Sequence, residues 1–125
     1  METQRDRLTE QIIGMCIEVH RTLGPGLLES AYEECLCYEL QHGGLKYRRQ
    51  APLSVEYKSV KLDCGYKMDI VVQDSLVIEL KTAEKLLPIH EAQLLTYLKL
   101  SGIRKGLLIN FNVPLLKDGL RRFVL

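Results

Sequence analysis

The 125-residue sequence has no long apolar segment, no C-x-x-C pair of cysteines and almost no net charge. Apolar runs such as residues 107–109 are far too short to span a bilayer. The polar residues 1–7 lack the apolar core of a signal peptide. We therefore expect a cytoplasmic protein with no membrane partner.

The cysteine pattern excludes the usual zinc and disulfide frameworks. Of the four cysteines, Cys35 and Cys37 are the closest in sequence, and they fall two residues apart on a predicted helix. Side chains at this spacing point in different directions and chelate poorly. We expect reduced thiols that pack as small hydrophobic side chains.

The charge balance limits how the protein can bind nucleic acid. Its 17 lysines and arginines are offset by 16 acids, which leaves no overall positive field. A nucleic-acid partner would have to be held by a local patch, by an oligomer or by another subunit. Basic residues cluster at residues 46–49, 104–105 and 121–122. They are either a phosphate grip or ordinary solvated surface, and the sequence favours neither.

The spacing of apolar residues predicts two helices, then strands, and then a third helix between strands. The predicted helices cover about residues 8–23, 27–41 and 89–101, with glycine-rich breaks at residues 24–26 and 43–44. The predicted strands lie around residues 53–57, 60–62, 66–72, 76–81, 106–111 and 120–125. This order predicts one α/β domain over residues 1–125, with helices packed on a mixed sheet.

The most informative pattern joins two of these strands. Asp69 lies on the first, Glu79 and Lys81 lie on the second, and residues 73–75 form the turn. A turn centred on Asp74 places Asp69 opposite Glu79, and opposed residues of an antiparallel pair share a face with Cβ atoms about 5 Å apart. Alternation along the strand adds Lys81 to that face. The register thus predicts two carboxylates and one ammonium on one patch.

Two carboxylates this close repel each other, so one should titrate abnormally unless a cation lies between them. Mg²⁺ or Mn²⁺, which prefer oxygen ligands, would remove the repulsion and could activate water and bind a phosphate. Lys81 would then orient or help to deprotonate the attacking water. The alternative is a charge-paired sheet surface on which Lys81 only neutralises Glu79. The Asp-x9-Glu-x-Lys pattern alone does not separate the two interpretations.

Two further features have ordinary explanations when each is taken alone. Glu29 lies in the first turn of the second predicted helix, where the helix dipole favours an acid. Gln93 and Tyr97 share one face of the third predicted helix, a spacing common in simple packing. In this order, and together with the strand acids, they form a recognisable set.

The set resembles the PD-(D/E)XK nuclease superfamily through Asp69 and the run Glu79-Leu80-Lys81. Gln93-x-x-x-Tyr97 looks like the added motif of its RecB-type branch. The sequence is similar in particular to the GxxExxY family, whose signature would be Gly26, Glu29 and Tyr32. The resemblance runs from about residue 12 through residues 106–111. Met68 stands where the superfamily's name has proline, a position that carries no chemistry.

The resemblance implies a restriction-endonuclease-like αβββαβ core with an extra N-terminal helix. It implies that Asp69 and Glu79 are metal ligands, that Lys81 is the catalytic lysine and that Glu29 adds an acidic group. Gln93 and Tyr97 would position the metal-bound water or the nucleic-acid backbone.

Two histidines are further candidates. RecB-type sites often use a helix histidine as a metal ligand, and His20 precedes Glu29 by nine residues. The break at residues 24–26 prevents the two from being placed relative to each other, so His20 is either a ligand or a hydrogen-bonding group at a helix end. His90, three residues before Gln93, carries the same two interpretations.

The expected function is that of a nuclease dependent on Mg²⁺ or Mn²⁺, hydrolysing DNA in preference to RNA. One alternative is a nucleic-acid-binding module whose metal site is idle, or which cuts only within a homo-oligomer or a larger complex. The small size and low net charge favour that alternative. Another is a metal-binding domain that acts on a different phosphoester.

Overall fold

The computed structural model describes residues 6–125, which form three helices, five strands and one short 3-10 helix. The helices are α1 (Arg7–Leu23), α2 (Glu29–His42) and α3 (Pro88–Ser101), with the 3-10 turn at Leu116–Gly119. The strands are β1 (Tyr47–Tyr57), β2 (Val60–Val72), β3 (Leu76–Lys81), β4 (Lys105–Asn110) and β5 (Leu120–Val124). Residues 1–5, which belong to the predicted domain and to its polar N-terminal segment, lie outside the described residues.

The five strands form one mixed sheet in the order β1-β2-β3-β4-β5. Neighbours are antiparallel except β3 and β4, which are parallel and are connected through α3. A parallel pair needs such a long crossover, and a helix usually supplies it. From α2 to β4 the order is αβββαβ, preceded by α1 as the extra N-terminal helix. The predicted fold class is confirmed.

Helices cover both faces of the sheet. On one face, α1 and α2 contribute Ile12 and Leu36 to a core that includes Ile78. On the other face, α3 packs Leu94 against Val77 in a second core. Five of the six β3 residues are buried, as expected of a central strand covered on both faces. Within residues 6–125, none of the helices is long and apolar enough to cross a membrane.

The strand pattern differs from the prediction in β2. The two short strands predicted around residues 60–62 and 66–72 are one strand, Val60–Val72. The pairing register shifts between Leu53 and Val55, and Gly65 adopts a φ of 77°. The irregularity is therefore absorbed as a bulge rather than a strand end. The result is a long β1–β2 hairpin whose outer part is exposed.

A tyrosine in α2 holds the loop through which the chain enters this helix. Gly24 and Gly26 have φ values of 69° and 103°, which only glycine adopts readily, so α2 begins at Glu29 rather than at residue 27. The Tyr32 hydroxyl donates to the Gly24 carbonyl at 2.5 Å and accepts from the Leu27 N–H at 3.1 Å. The loop geometry, and with it the placement of Glu29, depends on this buried hydroxyl.

Tyr32→Phe should lower the free energy of unfolding by about 0.5–1.5 kcal/mol, because the partly buried Gly24 carbonyl and Leu27 N–H would lose their hydrogen-bond partner. Urea unfolding of the variant measures the loss. The matched control is Tyr38→Phe, a change on the same helix at a side chain that is 58% exposed. Equal stability of the two variants would show that the Tyr32 hydroxyl does not hold the loop.

Candidate active site

The β2–β3 hairpin brings two acids together. The register has Val72 opposite Leu76 and Ile70 opposite Ile78, as the turn at residues 73–75 predicts. Beyond the Ile70–Ile78 pair, the two strands are joined by hydrogen bonds from main-chain N–H groups to side-chain carboxylates. The Asp69 N–H donates to Glu79 Oε2 at 2.9 Å, and the Leu80 N–H donates to Asp69 Oδ2 at 2.8 Å. The two carboxylates are thereby fixed next to each other.

These acids are costly to ionise. Glu79 is only 4% exposed, and its burial, with a further contribution from the neighbouring Asp69, raises its pKa to about 8. Burial also raises the pKa of Asp69, and the hydrogen bond from the Leu80 N–H partly offsets this. The Glu29 carboxyl, at the start of α2, has a pKa raised by burial and by Asp69. The group is an acid cluster that favours either a shared proton or a cation.

Lys81 is near the acids but is not their direct partner. Its Nζ donates to Gln93 Oε1 at 3.3 Å, and Gln93 Nε2 in turn donates to the Tyr97 hydroxyl at 3.2 Å. Among residues 6–125, no ion pair within 4.0 Å joins Lys81 to Glu79 or Asp69. The interpretation as a charge-paired surface therefore does not fit, because Glu79 is buried and Lys81 is hydrogen-bonded to the side-chain amide of Gln93 on α3.

A second group of side chains supports Asp69 from α2 and β1, and the sequence did not reveal it. Gln50 Nε2 donates to Glu33 Oε1 at 2.9 Å and to Asp69 Oδ1 at 3.4 Å. Glu33 is buried and also accepts a hydrogen bond from Arg49 Nε. The spacing of Glu29 and Glu33, four residues apart on one helix face, was the available signal. Gln50, with a φ of 53° inside a strand, gave none.

Asn110 fixes the chain that follows β3. It is the last residue of β4, lies opposite Lys81 and is 1% exposed. Its Oδ1 accepts from the Ala83 N–H at 3.0 Å, and its Nδ2 donates to the Ala83 carbonyl at 2.9 Å. The signal in the sequence was a polar residue at the end of an apolar run, and its role was not inferred from it.

The structure assigns hydrogen bonds to both candidate histidines. His20 is buried, its Nε2 lies 2.7 Å from the Val113 carbonyl oxygen, and its ring lies beside Phe111. This bond occupies Nε2 at the end of α1, as the helix-end role requires. Coordination through Nδ1 is compatible with it, because a ligating histidine commonly donates its other N–H to a carbonyl, so the ligand role stays a prediction. His90 Nδ1 accepts the Leu87 N–H at 3.0 Å and so caps the start of α3.

Within the described residues, the basic clusters form ion pairs with acids other than Asp69 and Glu79. Lys105 begins β4 opposite Leu76, five positions from Lys81 along the parallel pair, and it forms an ion pair with Asp6. Arg49 is paired with both Glu33 and Glu34. In the same clusters, Arg48 pairs with Asp74, Arg121 with Glu91 and Arg122 with Glu10. Most of the candidate phosphate-binding residues are therefore already paired with an acid.

The residues present fit a hard divalent cation at a two-carboxylate site. No group of three His, Cys, Asp or Glu side chains is arranged to hold a metal in the part of the chain that the structure describes. Mg²⁺, however, keeps several waters and is commonly bound by one or two carboxylates together with substrate phosphate oxygens. The buried Glu79 and the half-buried Asp69, both carboxylates with raised pKa values, provide that oxygen donor set.

Comparison with known proteins agrees with this geometry. A sequence model described as the PD-(D/E)XK nuclease superfamily matches residues 6–123, nearly the whole chain. No curated protein and no solved structure gave a significant match.

The raised pKa of Glu79 predicts that the free energy of unfolding of the metal-free protein falls as the pH rises. A pKa of about 8 in the folded state, against 4.5 ordinarily, means that the folded protein binds this proton more tightly than the unfolded chain does. The resulting stabilisation is complete below pH 4.5, declines as the pH rises, and is lost above pH 8. Glu79→Gln removes this titration and keeps an oxygen that can accept the Asp69 N–H.

The measurement is urea unfolding in chelator for wild type and Glu79→Gln across this range. Wild type should lose stability relative to the variant as the pH rises. The exposed Glu56→Gln, on β1, is the matched control and should follow wild type. A stability difference between wild type and Glu79→Gln that stays constant with pH would contradict the assignment.

Proposed function

Because the chain belongs to the PD-(D/E)XK nuclease superfamily, we propose that residues 1–125 form one metal-dependent nuclease domain that hydrolyses phosphodiester bonds, in DNA in preference to RNA. The observation that carries the proposal is the pair of hydrogen bonds between β2 and β3 that holds the carboxylates of Asp69 and Glu79 together. A fold alone hosts many activities, so the site has to carry the functional argument.

Asp69 and Glu79 are the residues that would hold Mg²⁺ or Mn²⁺, with Glu29 as a further acid within electrostatic reach. When bound, such an ion supplies a water of lowered pKa and neutralises charge on a phosphoryl oxygen. The protein's own contribution is to hold both carboxylates in place through main-chain N–H groups, so that little side-chain freedom is lost when the ion binds. Gln50 assists by donating a hydrogen bond to Asp69 Oδ1, while the Leu80 N–H holds Oδ2.

Lys81 acts on the reacting phosphate and the attacking water. Its ammonium is fixed by Gln93, which is itself bound to Tyr97, so the charge is oriented before substrate arrives. A preorganised charge in a partly buried site stabilises developing negative charge without reorganisation. Gln93 and Tyr97 therefore position Lys81, and through it the water or the nucleic-acid backbone.

We place the chain in the GxxExxY family with the RecB-type Gln-x-x-x-Tyr motif. Three structural tasks support this placement. Gly26 supplies the positive φ in the loop before α2, and the Tyr32 hydroxyl holds the same loop. Glu29 is the first residue of α2 and lies close enough to Asp69 to interact with it electrostatically.

One observation favours a second candidate, a nucleic-acid-binding module that has an idle metal site or cuts only within an oligomer or larger complex. The arginines on β1 and β5 are already paired with acids, so their charge is partly taken up before a phosphate could bind. A partner would then supply the basic surface. Metal-dependent cleavage by the isolated protein separates the two candidates.

Mn²⁺ should raise the melting temperature of the wild-type protein, because a ligand that binds only the folded state adds RT ln(1 + [L]/Kd) to its stability. The rise should shrink sharply in Asp69→Asn and in Glu79→Gln, and remain in the control Asp63→Asn, which lies in the exposed part of β2. A thermal melt at millimolar Mn²⁺ makes the comparison. An unchanged wild-type melting temperature would indicate an idle site.

Lys81→Met should reduce cleavage by about a hundredfold or more, the usual scale for loss of one preorganised electrostatic group. Mn²⁺ affinity should be retained or increased, because a nearby positive charge has been removed. Cleavage rate and Mn²⁺ affinity are measured side by side, with Lys117→Met as the control for loss of an exposed lysine. Unchanged cleavage in Lys81→Met would show that Lys81 is not catalytic.

A further inference from the structure

A second cavity adjoins the acid site on the other side of Gln93 and Tyr97. It has a volume of about 430 Å³ and lies between α3 and the outer half of the β1–β2 hairpin. We propose that this cavity binds an unpaired nucleobase, so that the substrates are single strands or unpaired segments of nucleic acid. The inference rests on the proposed nuclease function and specifies its substrate class.

The lining of the cavity suits a flat apolar ring. Among the described residues, eight line the cavity and none of them is charged. Six are apolar or aromatic: Val55, Tyr66, Ile89, Ala92, Tyr97 and Leu100. The other two, Gln93 and Thr96, can hydrogen-bond to the edge of a base. Its volume falls in the range of about 300–1,000 Å³ that is usual for small-molecule sites.

Two tyrosines form the aromatic part of the wall. The rings of Tyr66 and Tyr97 meet edge to face, with centroids 6.4 Å apart and an interplanar angle of 62°. Tyr97 is 7% exposed and packed in the second core, whereas Tyr66 is 48% exposed on β2. Tyr66 therefore keeps ring surface on which a base can stack, and Tyr97 supports it from behind.

The cavity is joined to the reaction site through shared side chains. Gln93 lines the cavity and accepts the hydrogen bond from Lys81, and Tyr97 lines it and bonds to Gln93. A base in the cavity therefore lies next to the group that would act on the adjoining phosphate. A larger cavity of about 540 Å³ between α1 and α2 contains none of these residues, and Glu18, Glu34 and Glu39 line it.

The distribution of charge indicates how nucleic acid is held. Duplexes are bound largely through basic contacts to phosphates, but several arginines of this protein are neutralised by acids. Stacking on aromatic side chains is the other general source of affinity, and it needs bases that are not paired in a duplex. An uncharged, mostly apolar cavity next to the side chain that bonds to Lys81, together with arginines that are paired with acids, favours an unpaired base.

Binding is tested by fluorescence anisotropy with a labelled single-stranded oligodeoxynucleotide, its blunt duplex and an oligoribonucleotide of the same sequence, in Ca²⁺, which takes the same oxygen ligands. The single strands should bind more tightly than the duplex. Tyr66→Ala should weaken single-strand binding by about tenfold, the scale of losing one stacked base. Tyr66→Phe keeps the ring and should bind like wild type. The matched control is Tyr57→Ala, an exposed tyrosine on the same hairpin that does not line the cavity.

A photo-crosslink from a 5-iodouracil base gives a readout of position, and it should map to Tyr66 or Tyr97. Duplex binding as tight as single-strand binding, or single-strand binding unaffected by Tyr66→Ala, would overturn the proposal. In either case, metal-dependent cleavage would leave the nuclease function standing. Conversely, Tyr66-dependent binding with no cleavage in Mn²⁺ would support the base site and refute the nuclease function. A difference between the DNA and RNA strands identifies the preferred sugar.

Discussion

The carboxylates of Asp69 and Glu79 are held side by side where little solvent reaches Glu79, and the surrounding structure has to stabilise this unfavourable pair. Each carboxylate accepts a main-chain N–H of the opposite strand, which partly replaces the hydration that burial removes. Burial and then repulsion from Asp69 raise the pKa of Glu79, whereas burial and the nearby Glu33 raise the pKa of Asp69. A cation would relieve that repulsion, and so the same constraint that costs stability prepares a metal site.

Such a pair persists only on a rigid support. β3 provides it, since the strand is buried on both faces and is paired with β2 on one side and β4 on the other. Two further contacts hold the segments around it. Tyr32 stacks on Phe111 at 4.5 Å, so the start of α2 is fixed against the residue that follows β4. Asn110 holds the chain after Lys81.

The sequence predicted what depends on local periodicity. The three-residue turn between β2 and β3 sets the pairing of Ile70 with Ile78, and side-chain alternation then places Glu79 and Lys81 on one face. The helix order and the crossover through α3 followed from apolar spacing. The start of α2 was two residues late relative to the prediction, because the conformations of Gly24 and Gly26 delay the helix.

What the sequence did not reveal depends on contacts between distant segments. Gln50 joins Glu33 of α2 to Asp69 of β2, and no local pattern marks a glutamine with a positive φ. The sequence left the basic residues as either a phosphate grip or ordinary surface charge, and in the structure Arg49 is paired with Glu33 and Glu34. Charge is visible in a sequence, whereas its pairing is set by tertiary structure. For that reason the site's acids were predictable and its electrostatic surroundings were not.

The central claim is that Asp69 and Glu79 share one divalent cation, and anomalous diffraction from a crystal soaked in Mn²⁺ tests it most directly. The account predicts a single strong anomalous peak between the two carboxylates, with an oxygen of each as a ligand and Lys81 on the same side. The absence of an anomalous peak beside the two carboxylates at saturating Mn²⁺, with both still hydrogen-bonded to their main-chain N–H partners, would contradict it.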